Sequence, residues 1–290
     1  MNIVIQAIIN GLLSGGVYAL VAVGITIIFG VMKMVNFAMG EFIMLGMYMT
    51  WIGYEITKLE NYFQIPFVIV TMTILAIVCF YLVIRPVIGK GGTLFILVTV
   101  GLSKVLQSLA LMIFGPNYKT VPSSIKESSI NIGRFVISLP RLMALLAGIV
   151  FVIILYIILN KSILGRAMRA TSEKPDVAEI LGINTRKTYL IAFIIGVILA
   201  GLAGLLVTPI YYVNPTVGVI FKVTGLIVVV LGGLGSIQGA LVGGFLAGVI
   251  ESIIAVTVSP ELGPAGIFVM LLIVLSIKPT GLFGKKLRVG

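Results

Sequence analysis

The chain is built from long apolar blocks separated by short polar stretches, and several of the blocks carry no charge at all. Crossing the hydrocarbon core of a bilayer as a helix takes about 20 apolar residues. Blocks of that order run over Ile5–Val31, Phe37–Ile56, Pro66–Ile84, Thr93–Phe114, Leu139–Leu159, Thr188–Ile210 and Ile237–Val258. Two more, Val219–Leu231 and Ala265–Ile277, are short for a perpendicular crossing and read as half-helices or re-entrant pieces. Gly11, Ser14, Gly15 and Gly16 interrupt the first block, which predicts a bent or broken helix there. The pattern predicts one all-α polytopic membrane domain over residues 1–290. It would have about eight to nine transmembrane segments, some broken or re-entrant. No internal repeat stands out.

One long stretch breaks the apolar rhythm. Lys161–Lys187 holds six basic residues (Lys161, Arg166, Arg169, Lys174, Arg186, Lys187) and three acids (Glu173, Asp176, Glu179) between two membrane-length blocks. Basic loops beside spans favour the cytoplasmic side. Nine crossings then put the island, Lys33, the Arg85/Lys90 turn and the basic tail 278–290 (Lys278, Lys285, Lys286, Arg288) inside, with the N-terminus outside. The loop 115–138 falls outside although it carries Lys119, Lys126 and Arg134. No basic residue precedes the first block after Met1, so it reads as a retained span rather than a cleaved signal.

Within the island the local signals are specific. Pro175 suits the first position of a helix, and Asp176 places negative charge at its positive end. Ala178, Ile180 and Leu181 continue it, and Gly182 suits the stop. Pro175–Leu181 is therefore expected as a short helix showing apolar side chains beside charges, after an amphipathic stretch Ser162–Ala170 along the membrane surface.

Composition sharpens the class. Hydrophobic residues make up 60% of the 290 and charged ones 10%, against about 25% charged in soluble domains. Lipid must cover such a surface, so the net charge of +11 reads as membrane orientation rather than as a nucleic-acid footprint. The chain has no histidine and one cysteine, Cys79, inside an apolar block. That removes histidine-based metal sites, Ser/His/Asp catalysis and internal disulfides. Gly89-Lys90 is followed by Gly91, so it is no phosphate-binding loop, and Gly233-Leu234-Gly235 lacks the third glycine of a dinucleotide fingerprint. No catalytic set, metal or cofactor is expected.

Glycine is frequent, 34 residues. Gly239 with Gly243, and Gly244 with Gly248, are small-xxx-small pairs that let helices approach closely, for plain packing or as a moving interface. Lys104, Glu41 and Glu251 lie inside spans, where an ionisable group needs a partner or water. Each is a candidate for an ion pair, an interfacial position or the transport pathway.

Asp176-Val177-Ala178-x-x-x-Gly182 resembles the EAA-x-x-x-G loop of permease subunits in ATP-binding-cassette importers, with Asp and Val in place of Glu and Ala. Gly11–Gly46, Gly165–Asn184, Val228–Ser252 and Lys278–Gly284 occur in the order found in LivH-type permeases of branched-chain amino acid importers, and the chain is similar to that family along nearly its whole length. The resemblance implies an inner-membrane importer with a LivM-like second permease, two ATPase subunits and an extracytoplasmic binding protein. It implies that Pro175, Asp176, Ala178, Glu179, Leu181 and Gly182 couple to the ATPase. A sugar or amide permease, or a stand-alone secondary transporter or channel, is the alternative; the last would need inverted repeats and activity without ATP.

Overall fold

A computed structural model describes residues 2–123, 125–126 and 128–284. Among them the fold is carried by helices α1 (Asn2–Met32), α2 (Met39–Thr57), α3 (Ile65–Cys79), α4 (Gly92–Phe114), α5 (Leu139–Lys161), α6 (Ile163–Glu173), α7 (Pro175–Ile180), α8 (Thr185–Val207), α9 (Gly218–Gly232), α10 (Ile237–Thr257) and α11 (Gly263–Ile277). Seven helical stretches are long and apolar enough to cross a membrane. The loop between α4 and α5 adds a small antiparallel hairpin, β1 (Ser129–Ile132) and β2 (Phe135–Ser138), in which Ser129 pairs with Ser138. The protein is an all-α polytopic membrane protein apart from that hairpin.

Three expectations from the sequence need correction. The glycines of the first block do not break it: α1 is one continuous 31-residue helix. Their missing side chains let neighbours in. A Cβ at Gly11 would meet the Val249 backbone at 2.5 Å, and one at Gly15 the Phe245 backbone at 2.8 Å, both on α10. The last block is also longer than read. A 3-10 turn, Pro260–Leu262, runs into α11, and the 18-residue stretch Pro260–Ile277 reaches crossing length.

The third correction concerns repeats. Val35-Asn36-Phe37-Ala38-Met39-Gly40 and Val213-Asn214-Pro215-Thr216-Val217-Gly218 share a V-N-x-x-x-G pattern, and each forms the non-helical break before a helix. In both, the asparagine Oδ1 accepts the backbone N–H two residues on, at 2.9 Å (Ala38 and Thr216). In both, the glycine falls at the start of the following helix, and the two glycines lie against each other. The halves run oppositely. The start of α2 lies beside the middle of α4, with the Phe37 N–H on Thr99 Oγ1 at 3.3 Å, and its middle lies beside the end of α4, with Tyr48 stacked on Phe114. Helix α9 instead runs alongside α1, with Gly225 against Val21 and Ile25, and Gly235 near Gly30. Helices α1–α4 and α8–α11 therefore form two inverted halves. Non-helical backbone at membrane depth needs internal hydrogen-bond partners, and the Asn and Thr side chains supply them.

The two ends of the bundle are fixed by different devices. At one end the Gln6 side chain clamps the hairpin, donating to Val136 O at 2.7 Å and accepting from Val136 N at 3.0 Å. At the other, the N–H groups of Leu282 and Phe283 reach Leu231 O and Gly232 O at 2.8 and 2.9 Å, closing off terminal carbonyls of α9. Residues 2 and 284 thus lie toward opposite faces. The tail lysines and arginine, Lys285, Lys286 and Arg288, fall outside the described residues. Gln6→Ala is expected to free the hairpin by about 1–3 kcal/mol, at about 0.5–1.5 per hydrogen bond. Trypsin cleavage at Lys126 or Arg134 in detergent should speed up, which limited proteolysis reads directly.

Candidate functional site, a surface helix and a polar interior

The connection from α5 to α8 folds as local chemistry dictates. Ser162 caps α6, its Oγ accepting the Gly165 N–H at 3.1 Å, and Arg169 Nη1 donates to Leu159 O at 2.6 Å, pinning α6 beneath the end of α5. Helix α7 then starts on Pro175 with Asp176 in its first turn. It ends in a Schellman arrangement: Gly182 N–H to Glu179 O and Ile183 N–H to Ala178 O, both 2.9 Å, with Gly182 at φ +82°. The helix itself stops at Ile180, with Leu181 as its cap.

This short helix is presented rather than packed. Ala178 is 2% exposed and anchors it, whereas Ile180 and Leu181 are 84% and 73% exposed. The two side chains stand adjacent on a charged loop and cover nothing in their own chain. Two features absent from the sequence reading stiffen the joint to α8. The Thr185 hydroxyl donates to the Glu179 carboxylate, and Asn184 Oδ1 caps α8 by accepting the Lys187 N–H at 3.0 Å. The end of α7 is thereby tied to the start of α8.

Inside the bundle, the ionisable candidates separate. Glu41, 2% exposed at the start of α2, pairs with Lys222 on α9 at 2.9 Å, and the same ammonium reaches Ser103 Oγ at 3.0 Å. Ser103 is the central residue of the 23-residue α4, so the pair sits near mid-membrane. Lys222 went unremarked in the sequence because a lysine near one end of a short block looks interfacial. Only the break before α9 reveals that the helix begins in the interior.

Glu251 on α10 lies in a second cluster, with Tyr18 of α1, Tyr211 and Arg141 of α5 as its electrostatic neighbours. Beside it a cavity of about 10 Å³ is lined by Ser14, Tyr18, Arg141 and Tyr211, room for about one water. Lys104 joins neither group. It is exposed on α4, and its ammonium meets Gln107 Oε1 at 3.3 Å.

The glycine pairs serve packing between different partners. A Cβ at Gly239 would overlap the Gly232 carbonyl, and one at Gly243 would lie 3.0 Å from Val228 O, so both face α9. Gly244 and Gly248 face α1, at Ala19 and at Gly11 and Gly15. Among the described residues no group of three metal-ligating side chains comes together.

Comparison with known proteins fits this arrangement. The family described as branched-chain amino acid transport system / permease component matches residues 7–275. A high-affinity branched-chain amino acid transport permease, BraD of Pseudomonas aeruginosa, is 30% identical over 97% of this chain and 96% of its own length. LivH of Escherichia coli K12 is 29% identical over the same shares, and the probable LivH of Methanocaldococcus jannaschii is 28% identical over 93% of this chain and 90% of its own. No solved structure matches. The match runs through both inverted halves and the surface helix between them, and the chain belongs to the branched-chain amino acid transport permease family.

Proposed function

We propose that this permease carries branched-chain amino acids inward across a prokaryotic inner membrane by alternating access. A LivM-like second permease shares the pathway, and two separate ATPase subunits drive it. An extracytoplasmic binding protein delivers substrate at the hairpin end, where the N-terminus lies. The α6–α7 end and the tail are cytoplasmic, as their basic excess favours.

The observation that carries the reading is α7, a capped helix with Ile180 and Leu181 bare beside Asp176 and Glu179, tied rigidly to α8. An ATPase cleft holding that helix would pull on α5 and α8 together whenever the ATPases close. A ligand-driven switch needs a contact that differs between two states, and α7 supplies it. Reconstitution of the four membrane-associated subunits with binding protein and labelled leucine tests it. Gly182→Val forces a β-branched residue into a left-handed conformation, a strain of about 1–3 kcal/mol. ATP hydrolysis should continue while uptake falls at least tenfold, with membrane insertion unchanged. Normal uptake with assembled ATPases would sink the coupling role. Leucine uptake without ATP would favour the stand-alone transporter.

A further inference from the structure

Lys104 is a charged group that neither the fold described above nor helix α7 uses. It lies ten residues from one end of α4 and twelve from the other, about 15–18 Å at roughly 1.5 Å per residue. That is farther than a four-carbon stem can snorkel to a membrane surface. Among the described residues its ammonium has Gln107 as its hydrogen-bond partner and meets no acid. The exposed side of α4 is divided. Lys104, Gln107 and Ser108, at helical spacing, form a polar patch with exposed Leu97, Val100 and Leu111 before and after it; Val105, Leu109 and Met112 form the neighbouring stripe, exposed and wholly apolar. The apolar stripe suits lipid and the polar patch does not.

The polar patch also opens into a cleft of about 250 Å³ between α4 and the break before α9. Gln107, Ser108, Asn214 and Thr216 line one part of it, and Leu111 and Tyr118 give it apolar surface. Pro116 and Tyr118 carry the cleft past the end of α4, whereas Lys104 stands at mid-helix, too deep for a lipid phosphate to reach. An unpaired cation beside hydrogen-bonding groups and apolar walls fits a zwitterion with an aliphatic side chain.

The geometry points to this cleft, with Lys104 one helical turn from its lining residues Gln107 and Ser108 and bonded to Gln107, as a substrate subsite on the translocation pathway: Lys104 meets the amino acid's carboxylate, and Leu111 and Tyr118 meet its side chain. The polar patch of α4 then faces the second permease across the pathway, and the Val105/Leu109/Met112 stripe faces lipid. The inference rests on the transport reading above and adds where the substrate passes.

Because Cys79 is buried and the sole cysteine, single cysteines in a Cys79→Ser background test it in the complete reconstituted importer. A charged, membrane-impermeant methanethiosulfonate should modify Ser108→Cys in at least one nucleotide state. Leucine-loaded binding protein should slow that reaction, and modification should cut leucine uptake at least tenfold. Leu109→Cys should stay unmodified. Lys104→Met should raise the KM for leucine uptake at least tenfold, and Lys104→Arg should restore most of the loss. Ser108→Cys inert in every state, or Lys104→Met transporting as the parent does, would overturn the subsite. If the unsubstituted importer shows no ATP-driven leucine uptake, the transport reading itself fails instead, so the two failures are told apart.

Discussion

Gly40→Leu is expected to abolish a stable fold in detergent, the largest effect of any single change considered. A Cβ at Gly40 would overlap the Gly218 carbonyl and lie 2.6 Å from Lys222 Cβ, and one at Gly218 would collide reciprocally with Gly40. The obstructing atoms are mostly backbone at the meeting point of α2 and α9, so no rotamer change relieves them. Ordinary overpacking costs about 1–3 kcal/mol; here the two half-helices must separate, and the cost should lie at or above the top of that range. Fluorescence-detected size exclusion should show loss of the monodisperse peak, and any residual folded fraction should melt far lower. Gly92→Leu is the control: nothing lies within 4 Å of its Cβ position, and the profile should stay that of the parent. A Gly40→Leu protein as stable as that control would remove the close crossing as a structural requirement.

Breaking the Glu41–Lys222 pair should have the second largest effect. Lys222→Met leaves a carboxylate that is 2% exposed without its cation, and Glu41→Met leaves the ammonium with Ser103 alone. Removing one partner of a buried pair costs about 3–5 kcal/mol, whereas replacing both by apolar side chains of similar volume is often close to neutral. The double variant Glu41→Met/Lys222→Met should therefore be more stable than either single one. A denaturation series in mixed micelles would measure all four corners of this cycle. If the double variant loses the sum of the two single losses, the groups do not act as a pair. The cycle also separates stability from transport. Wild-type leucine uptake by a stable double variant would assign the pair to helix assembly, and lost uptake would assign it a part in the path.

How much of this was readable beforehand depends on range. The surface helix α7 could be read because its signals are all within eight residues: Pro175 opens it, Asp176 complements its dipole, and Gly182 tolerates φ +82° just past its end. The tie from Glu179 to Thr185 was not read, since a hydroxyl beyond the helix stop has no periodic signature. Glycine produced the opposite kind of error. Gly11, Gly15 and Gly16 looked like weak points of one helix, yet their meaning lies in the helices that press against them. The repeat escaped notice because only Val, Asn and Gly recur across a separation of 178 residues, and each matters for a turn rather than for hydrophobic pattern. Lys104 could be seen as a misplaced charge, but not as lying beside a cleft whose other wall comes from residues 214–216.

By itself, the sequence determined that this is a helical membrane protein, and where its exposed surface helix begins and stops. Those properties follow from transfer free energy and from backbone conformation, which act within one segment and leave their mark in its composition. The tertiary structure decided that two helices start in the membrane interior, that Glu41 finds Lys222, and that a polar patch on α4 lies beside a cleft. These depend on which segments meet, and close approach through glycine is selected by the partner surface as much as by the residue itself.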